Sequence, residues 1–247
     1  MNGEELIIKV RNLVKKFGDF TANDNLNFDV YKGEIFGFLG ANGAGKTTAM
    51  KILCGLSKPT SGEASVAGYD VYLEPNKIKN CIGYMSQKFS LYEDLTVKEN
   101  IRFFAGIYGM ERKEIRIKSQ QLIEKLGLTD AADKLIADLP LGWRQKLAFS
   151  VAIIHSPKIV FLDEPTSGVD PITRRQFWKQ IYEAANEGVT IFLTTHYMDE
   201  AEYCDRVSIM VDGRIAALDT PGNLKKAFEV ESMNEVFIKL ARGGSDN

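Results

Sequence analysis

Cysteine is scarce in this chain of 247 residues, with Cys54, Cys81 and Cys204 far apart and forming no C-x-x-C pair. Such usage leads to the expectation of free, buried thiols in a reducing, cytosolic compartment. Charge of either sign is not in excess: 31 basic residues face 33 acidic ones, for a net −2. With no basic block along the chain, sustained contact with nucleic acid is not expected. No apolar run approaches the roughly 18 residues that a membrane-spanning helix requires. If the protein serves a membrane, another chain must cross it. Glu4 and Glu5 stand where a secretory signal would carry basic residues, so no signal peptide is expected. Internal repeats and low-complexity linkers are absent as well. What remains is ordinary globular composition, 45% hydrophobic and 26% charged. The length suits one large α/β domain, or a core with an embedded subdomain.

Apolar alternation in Leu6-Ile7-Ile8-Lys9-Val10 and Leu26-Asn27-Phe28-Asp29-Val30 predicts two half-exposed strands near the start. Ile35-Phe36-Gly37-Phe38-Leu39 reads as a buried strand that runs into a glycine-rich loop and a helix from about Lys46 to Leu53. Residues 96–127 read as helices, with Ile101, Phe104, Ala105 and Tyr108 at helical spacing. Two further buried strands, Ile159 to Leu162 and Val189 to Thr194, each follow a helical stretch. That is the pattern of a parallel sheet covered on both faces. Val207 to Val211, then Asp212-Gly213, then Arg214 to Leu218 predicts a hairpin. Asn223 to Leu240 reads as one helical segment, with Gly243 to Asn247 frayed. The expected fold class is α/β, a parallel core (1–90 and 156–220) with an antiparallel β subdomain. Helical segments at 91–155 and 221–247 complete it.

Gly40-Ala41-Asn42-Gly43-Ala44-Gly45-Lys46-Thr47 matches the phosphate-binding P-loop at every fixed position, between a strand and a helix. Glycines let backbone N–H groups turn inward around phosphates, and the helix N-terminus adds its positive end. Lys46 brings a point charge to the β- and γ-phosphates of a nucleotide, and the Thr47 hydroxyl ligates Mg²⁺. Ile159-Val160-Phe161-Leu162-Asp163-Glu164 is an apolar strand that ends in two carboxylates. Asp163 is placed for the Mg²⁺ shell, and Glu164 to polarise an attacking water. Both motifs fall at carboxyl ends of predicted parallel strands, where open α/β sheets bind ligands. His196 follows the third such strand and can hydrogen-bond a γ-phosphate. His155, before Ser156-Pro157, reads instead as a structural histidine at a helix end.

With these residues in place the chain resembles an ABC ATPase over nearly its whole length. The resemblance implies a P-loop NTPase core, ATP and Mg²⁺ as ligands, and catalysis by Glu164, His196 and Lys46. It adds Thr48 to the nucleotide contacts. Gln87, in Tyr84-Met85-Ser86-Gln87, matches the Q-loop, which reaches Mg²⁺ and faces the membrane partner. Asp170, in Ser167-Gly168-Val169-Asp170, matches the D-loop that communicates across a dimer. Phe17, in Lys15-Lys16-Phe17-Gly18, matches the aromatic that stacks on adenine, with Phe20 the competing ring.

One motif departs from the pattern. The signature is ordinarily L-S-G-G-Q, and here the aligned stretch is Leu139-Pro140-Leu141-Gly142-Trp143. In the family this segment clamps the γ-phosphate of ATP held by the opposite subunit. Pro140 has neither the serine hydroxyl nor a backbone N–H. Leu141 keeps its N–H but adds a side chain where backbone should approach phosphate. Gly142 is intact. This signature, Phe17-Gly18-Asp19-Phe20-Thr21-Ala22 and the segment from Glu231 to Leu240 resemble ABC-2-type export ATPases, in particular the second ATPase half of tandem exporters. The expected partners are therefore transmembrane permease subunits and a second ATPase subunit, at the inner face of the cell membrane. The competing readings are an ATP-binding regulatory subunit with weak hydrolysis, against which Glu164 and His196 both speak, and a soluble ABC ATPase of DNA repair or translation. Its long coiled coils, zinc-binding insertions and basic linkers are not found.

Overall fold

The computed structural model describes residues 5–87 and 91–243. Its centre is a six-stranded sheet in the order β10-β9-β3-β8-β7-β6. The strands are β3 (Ile35–Gly40), β6 (Ile82–Met85), β7 (Ile159–Asp163), β8 (Thr190–Thr195), β9 (Arg206–Val211) and β10 (Arg214–Asp219). Neighbours from β9 to β6 run parallel, while the β9–β10 hairpin adds an antiparallel edge. β3, β7 and β8 are buried at every position, because both faces of the sheet are covered.

Side chains alternate across that sheet, so each face builds its own core. Phe36, Phe38, Phe161 and Phe192 point one way; the first two and Phe192 meet Phe28, and Phe161 packs on Phe192, with ring centroids 5.3 to 6.3 Å apart. Phe28 belongs to the second sheet, an antiparallel β2-β1-β4-β5 layer of β1 (Leu6–Phe17), β2 (Phe20–Tyr31), β4 (Ser61–Val66) and β5 (Tyr69–Asp70). Each fully buried phenylalanine contributes roughly 1.5–3 kcal/mol by leaving water. Helix α1 (Lys46–Leu53) buries Ala49, Met50, Ile52 and Leu53 in the same core. Leu39, Val160, Leu162, Ile191 and Leu193 point the other way, into a core shared with the helices.

Those helices are α3 (Val97–Ile107), α4 (Arg112–Lys125), α5 (Leu141–Ile153), α6 (Pro171–Asn186), α7 (Pro221–Ala227) and α8 (Met233–Gly243), while α2 (Pro75–Cys81) buries Ile78 in the Phe28 core. α3 begins on a reciprocal cap, Thr96 accepting from the Glu99 amide while the Glu99 carboxylate accepts from the Thr96 amide. Asp170 caps α6 by accepting from the amides of Ile172 and Thr173.

Two expectations are corrected. The N-terminal strands are each 12 residues long rather than five, and pair from Leu6↔Tyr31 to Phe17↔Phe20. Register shifts between Val10 and Lys15 break the alternation, which hides the outer halves from a period-two reading. The helical segment expected from Asn223 to Leu240 is divided into two helices. Glu229 sits at φ 51°, the Val230 amide closes α7 on the Lys225 carbonyl, and Ser232 accepts from the Glu235 amide to start α8. The break turns α8 so that Met233 and Val236 enter the core. Glu4 and residues 244–247 lie outside the described residues. Cys54 and Cys204 are buried free thiols, while Cys81 is only partly buried. No helix among the described residues is long and apolar enough to cross a membrane.

Candidate functional site

Parallel strands β3, β7 and β8 are adjacent, so the residues just past their carboxyl ends are brought together although far apart in sequence. The P-loop leaves β3 and enters α1 through Gly45 at φ 98°. A Cβ on Gly45 would stand 2.3 Å from the Ala22 carbonyl oxygen and 2.6 Å from Asn23 Nδ2, so no other residue fits here. Asn23, fully buried, donates from Nδ2 to the Gly45 carbonyl at 3.0 Å and anchors the loop to β2. No side chain caps α1, which leaves its first-turn amides to an anion.

Asn42, Gly43, Gly45, Lys46, Thr47 and Thr48 line an open cleft of about 510 Å³ together with Ala22, Phe20, Gln87 and Glu164. Gly40 ends β3, and the Ala44 amide donates to the Ala41 carbonyl at 3.2 Å, which curls the loop. Lys46 is only 4% exposed. Its Nζ donates to the carbonyls of Gly40 (2.8 Å) and Ala41 (3.0 Å) and lies 3.7 Å from Glu164 Oε1. Burial pushes the ammonium below its ordinary pKa, with Glu164 and then Asp163 opposing that shift.

Asp163 Oδ1 accepts from Thr47 Oγ1 at 3.0 Å and from Thr194 Oγ1 at 2.6 Å. The Glu164 backbone, at φ 47°, is strained for a non-glycine residue. Its amide holds there by donating to both the carbonyl and the hydroxyl of Thr194, each at 3.1 Å. Three polar groups converge on the Glu164 carboxylate. Gln87 Nε2 donates to Oε2 at 3.0 Å, His196 Nδ1 stands 3.1 Å from the same oxygen but off the hydrogen-bonding direction, and Lys46 faces Oε1. Among the described residues no group of three or more His, Cys, Asp or Glu side chains could hold a metal. Thr47 and Asp163 therefore offer two oxygen donors to a cation that takes its other ligands from phosphate and water, which is how Mg²⁺ is ordinarily held.

The remaining candidates sit elsewhere. Of the two aromatic rings, Phe20 lines the cleft; Phe17, its hairpin partner, is exposed with the Lys15 ammonium 4.9 Å over its ring. Pro140 stands at the N-cap of α5 in extended geometry, and no side chain caps that helix. Leu141 is 45% exposed at its first position. A Cβ on Gly142 would stand 3.0 Å from Thr173 Cγ2, which places the signature against α6 and the Asp170 turn. Leu141, Gly142 and Asp170 are not among the residues lining the P-loop cleft. His155 is structural: Nε2 meets the Ile82 carbonyl at 3.1 Å, its ring stacks 3.7 Å from Tyr108, and burial pushes its pKa down. Sequence reasoning missed Thr194, which bonds both carboxylate residues. Its signal was a polar residue closing an otherwise apolar buried strand. Gln145, fully buried on α5, was missed too; its Nε2 donates to the Pro165 carbonyl and joins the signature helix to the turn after Glu164.

The family model described as ABC transporter matches residues 23–167. The probable multidrug ABC transporter ATP-binding protein YbhF of Escherichia coli is 48% identical over 241 residues, covering 96% of this chain. This chain spans only 42% of that relative's length. Among solved structures, an ATP-binding subunit of an ABC transporter superposes with a TM-score of 0.84 at 28% identity, covering 95% of this chain and 99% of its own. A dimeric post-hydrolysis ATP-binding cassette bound to ADP and Pi superposes at 0.76 with 26% identity, covering 86% and 98%.

Proposed function

The chain belongs to the ABC transporter family as one of its ATP-binding, ATPase members, and from that premise we propose how its residues work and what they drive. The observation that carries the reading is the convergence of Lys46, Gln87 and His196 on the single carboxylate of Glu164, beside a P-loop. The ATP phosphates lie along the first-turn amides of α1, with Lys46 neutralising the β- and γ-phosphates. Thr47 and Asp163 would hold Mg²⁺, with Gln87 as a further contact, and the ion would neutralise charge on the phosphates. Glu164 accepts the proton of the attacking water, and His196 hydrogen-bonds the γ-phosphate. Adenine stacks on the β1–β2 hairpin tip, at Phe17 by family position, with Phe20 nearer the cleft.

The machine we infer is an ABC-2-type exporter, consistent with the multidrug relative. Permease subunits cross the membrane, this chain lies at the inner face, and a second ATPase subunit supplies the opposing half of each site. Leu141, Gly142 and Asp170 face the nucleotide of that second subunit. Pro140 makes the site they complete the weaker one, so the productive pairing is with a subunit, or tandem half, carrying an intact signature. Calorimetry and phosphate release test this together. Lys46→Ala should abolish MgATP binding, while Glu164→Gln should keep binding and stop hydrolysis. Unchanged binding in the first, or wild-type turnover in the second, would falsify the site.

A further inference from the structure

We propose that Glu200 is a positioning residue for hydrolysis, tying the turn that carries Glu164 to the turn that carries His196. It rests on the reading of the cleft as an ATPase site. Glu200 lies in a short 3₁₀ segment (Met198–Tyr203) and is 0% exposed, while the acidic residues beside it, Asp199 and Glu202, are not buried. Burying a carboxylate is costly unless its partners repay it. Here the partners come from two other elements. Thr166, 1% exposed and two residues after Glu164, donates its hydroxyl to Glu200 Oε1. Arg174, on the first turn of α6 just past Asp170, brings its Nε to 3.7 Å of the same oxygen. The Arg174 guanidinium also lies 4.3 Å over the ring of Tyr197, which itself packs against the His196 ring at 4.1 Å. One carboxylate thus holds the Glu164 turn, the His196 turn and the α6 start in a fixed relation.

Two atoms of this cluster are left over. Arg174 Nε and Glu200 Oε2 are both buried with no hydrogen-bond partner. A charged pair kept only to fill space would be expected to close into a two-pronged contact, the strongest geometry open to arginine and carboxylate. Glu200 instead spends its one bonded oxygen on Thr166, two residues after Glu164 on the same turn. Placement of the Glu164 turn is therefore the function that this arrangement serves. Glu164 needs such support, because its own backbone is strained at φ 47°.

The test is steady-state phosphate release by the full chain with Mg²⁺ and ATP, alongside ATP affinity by calorimetry and the thermal midpoint. The variants are Thr166→Val, Thr166→Ser, Glu200→Gln and the Thr166→Val/Glu200→Gln pair. Misplacing a reacting group costs turnover more than binding, so Thr166→Val and Glu200→Gln should each lower kcat about tenfold while KM and ATP affinity stay within about twofold. Thr166→Ser restores the hydroxyl and should restore turnover. The pair should be no slower than its slower member, since Thr166→Val removes the same bond that Glu200→Gln weakens by taking away the carboxylate's charge. Unchanged kcat in the folded variants, additive losses, or equal losses in Ser and Val would each overturn the proposal. If Glu200→Gln does not fold, the Val and Ser variants decide it alone. A wild type that binds no MgATP by calorimetry would instead remove the ATPase reading itself, and the proposal with it.

Discussion

Changing Pro140→Ser and Leu141→Gly together rebuilds an ordinary signature, and its effect on stability and on turnover can be worked separately. Serine at the N-cap of α5 would accept a first-turn amide that no side chain now caps, a gain of about 1 kcal/mol. Releasing proline's restriction on the unfolded chain costs about 0.4–1 kcal/mol. Glycine on the first helical turn costs up to about 1 kcal/mol. Leu141 is 45% exposed, so trimming it gives up little buried surface. These terms leave stability within about 1 kcal/mol of wild type. Turnover is a different matter. A restored γ-phosphate contact, judged against loss of one oxyanion donor, is worth on the order of 10²-fold, or about 2.7 kcal/mol of barrier. Phosphate release should therefore rise about 10²-fold in the isolated protein, and its specific activity should climb with protein concentration as dimers form. The assay is release against concentration for both forms, with the thermal midpoint as control. Brisk, concentration-dependent turnover by the wild type, unchanged by the double substitution, would refute the reasoning. Leu139-Pro140-Leu141-Gly142 would then be a working signature.

Thr194→Val leaves the buried Asp163 carboxylate and the Glu164 amide each short of a partner, and should cost about 1–3 kcal/mol in urea unfolding. Turnover should fall with it, and a variant at full stability and activity would remove Thr194 from the site. Gly45→Ala drives a Cβ to 2.3 Å from the Ala22 carbonyl oxygen, and overpacking of this kind costs about 1–3 kcal/mol. Nucleotide affinity measured by calorimetry should drop with it, whereas wild-type affinity would show that the loop yields. His155 gives a pH dependence, because burial holds its folded pKa below the ordinary 6.5. The unfolded chain then binds the extra proton first, so stability falls as pH drops below 6.5 and levels off under the folded pKa. Replacing it by phenylalanine should flatten that part of the unfolding-versus-pH curve, and an unchanged slope would assign the acid sensitivity elsewhere.

The P-loop, the Asp163-Glu164 strand end and the β9–β10 hairpin were legible in the sequence because each is a local pattern. Fixed glycines, an unbroken apolar run and a two-residue Asp212-Gly213 turn state their geometry without help from distant residues. The N-terminal strands were legible only in part, since register shifts interrupt their alternation between Val10 and Lys15. The end of the chain misled, because helical composition runs through the break at Glu229 and only the pull of Met233 and Val236 toward the core turns the second helix. Tertiary structure alone decided which residues meet. Thr47 and Asp163, 116 positions apart, share a hydrogen bond because β3, β8 and β7 lie side by side. The same adjacency sets Thr194 between two carboxylate residues and buries Glu200 against Thr166, while the Asn23–Gly45 bond holds β2, and with it Phe20, at the cleft. Residue types along a chain carry the chemistry that a site can perform. Strand order determines which of them come within a hydrogen bond's reach, and no local pattern encodes it.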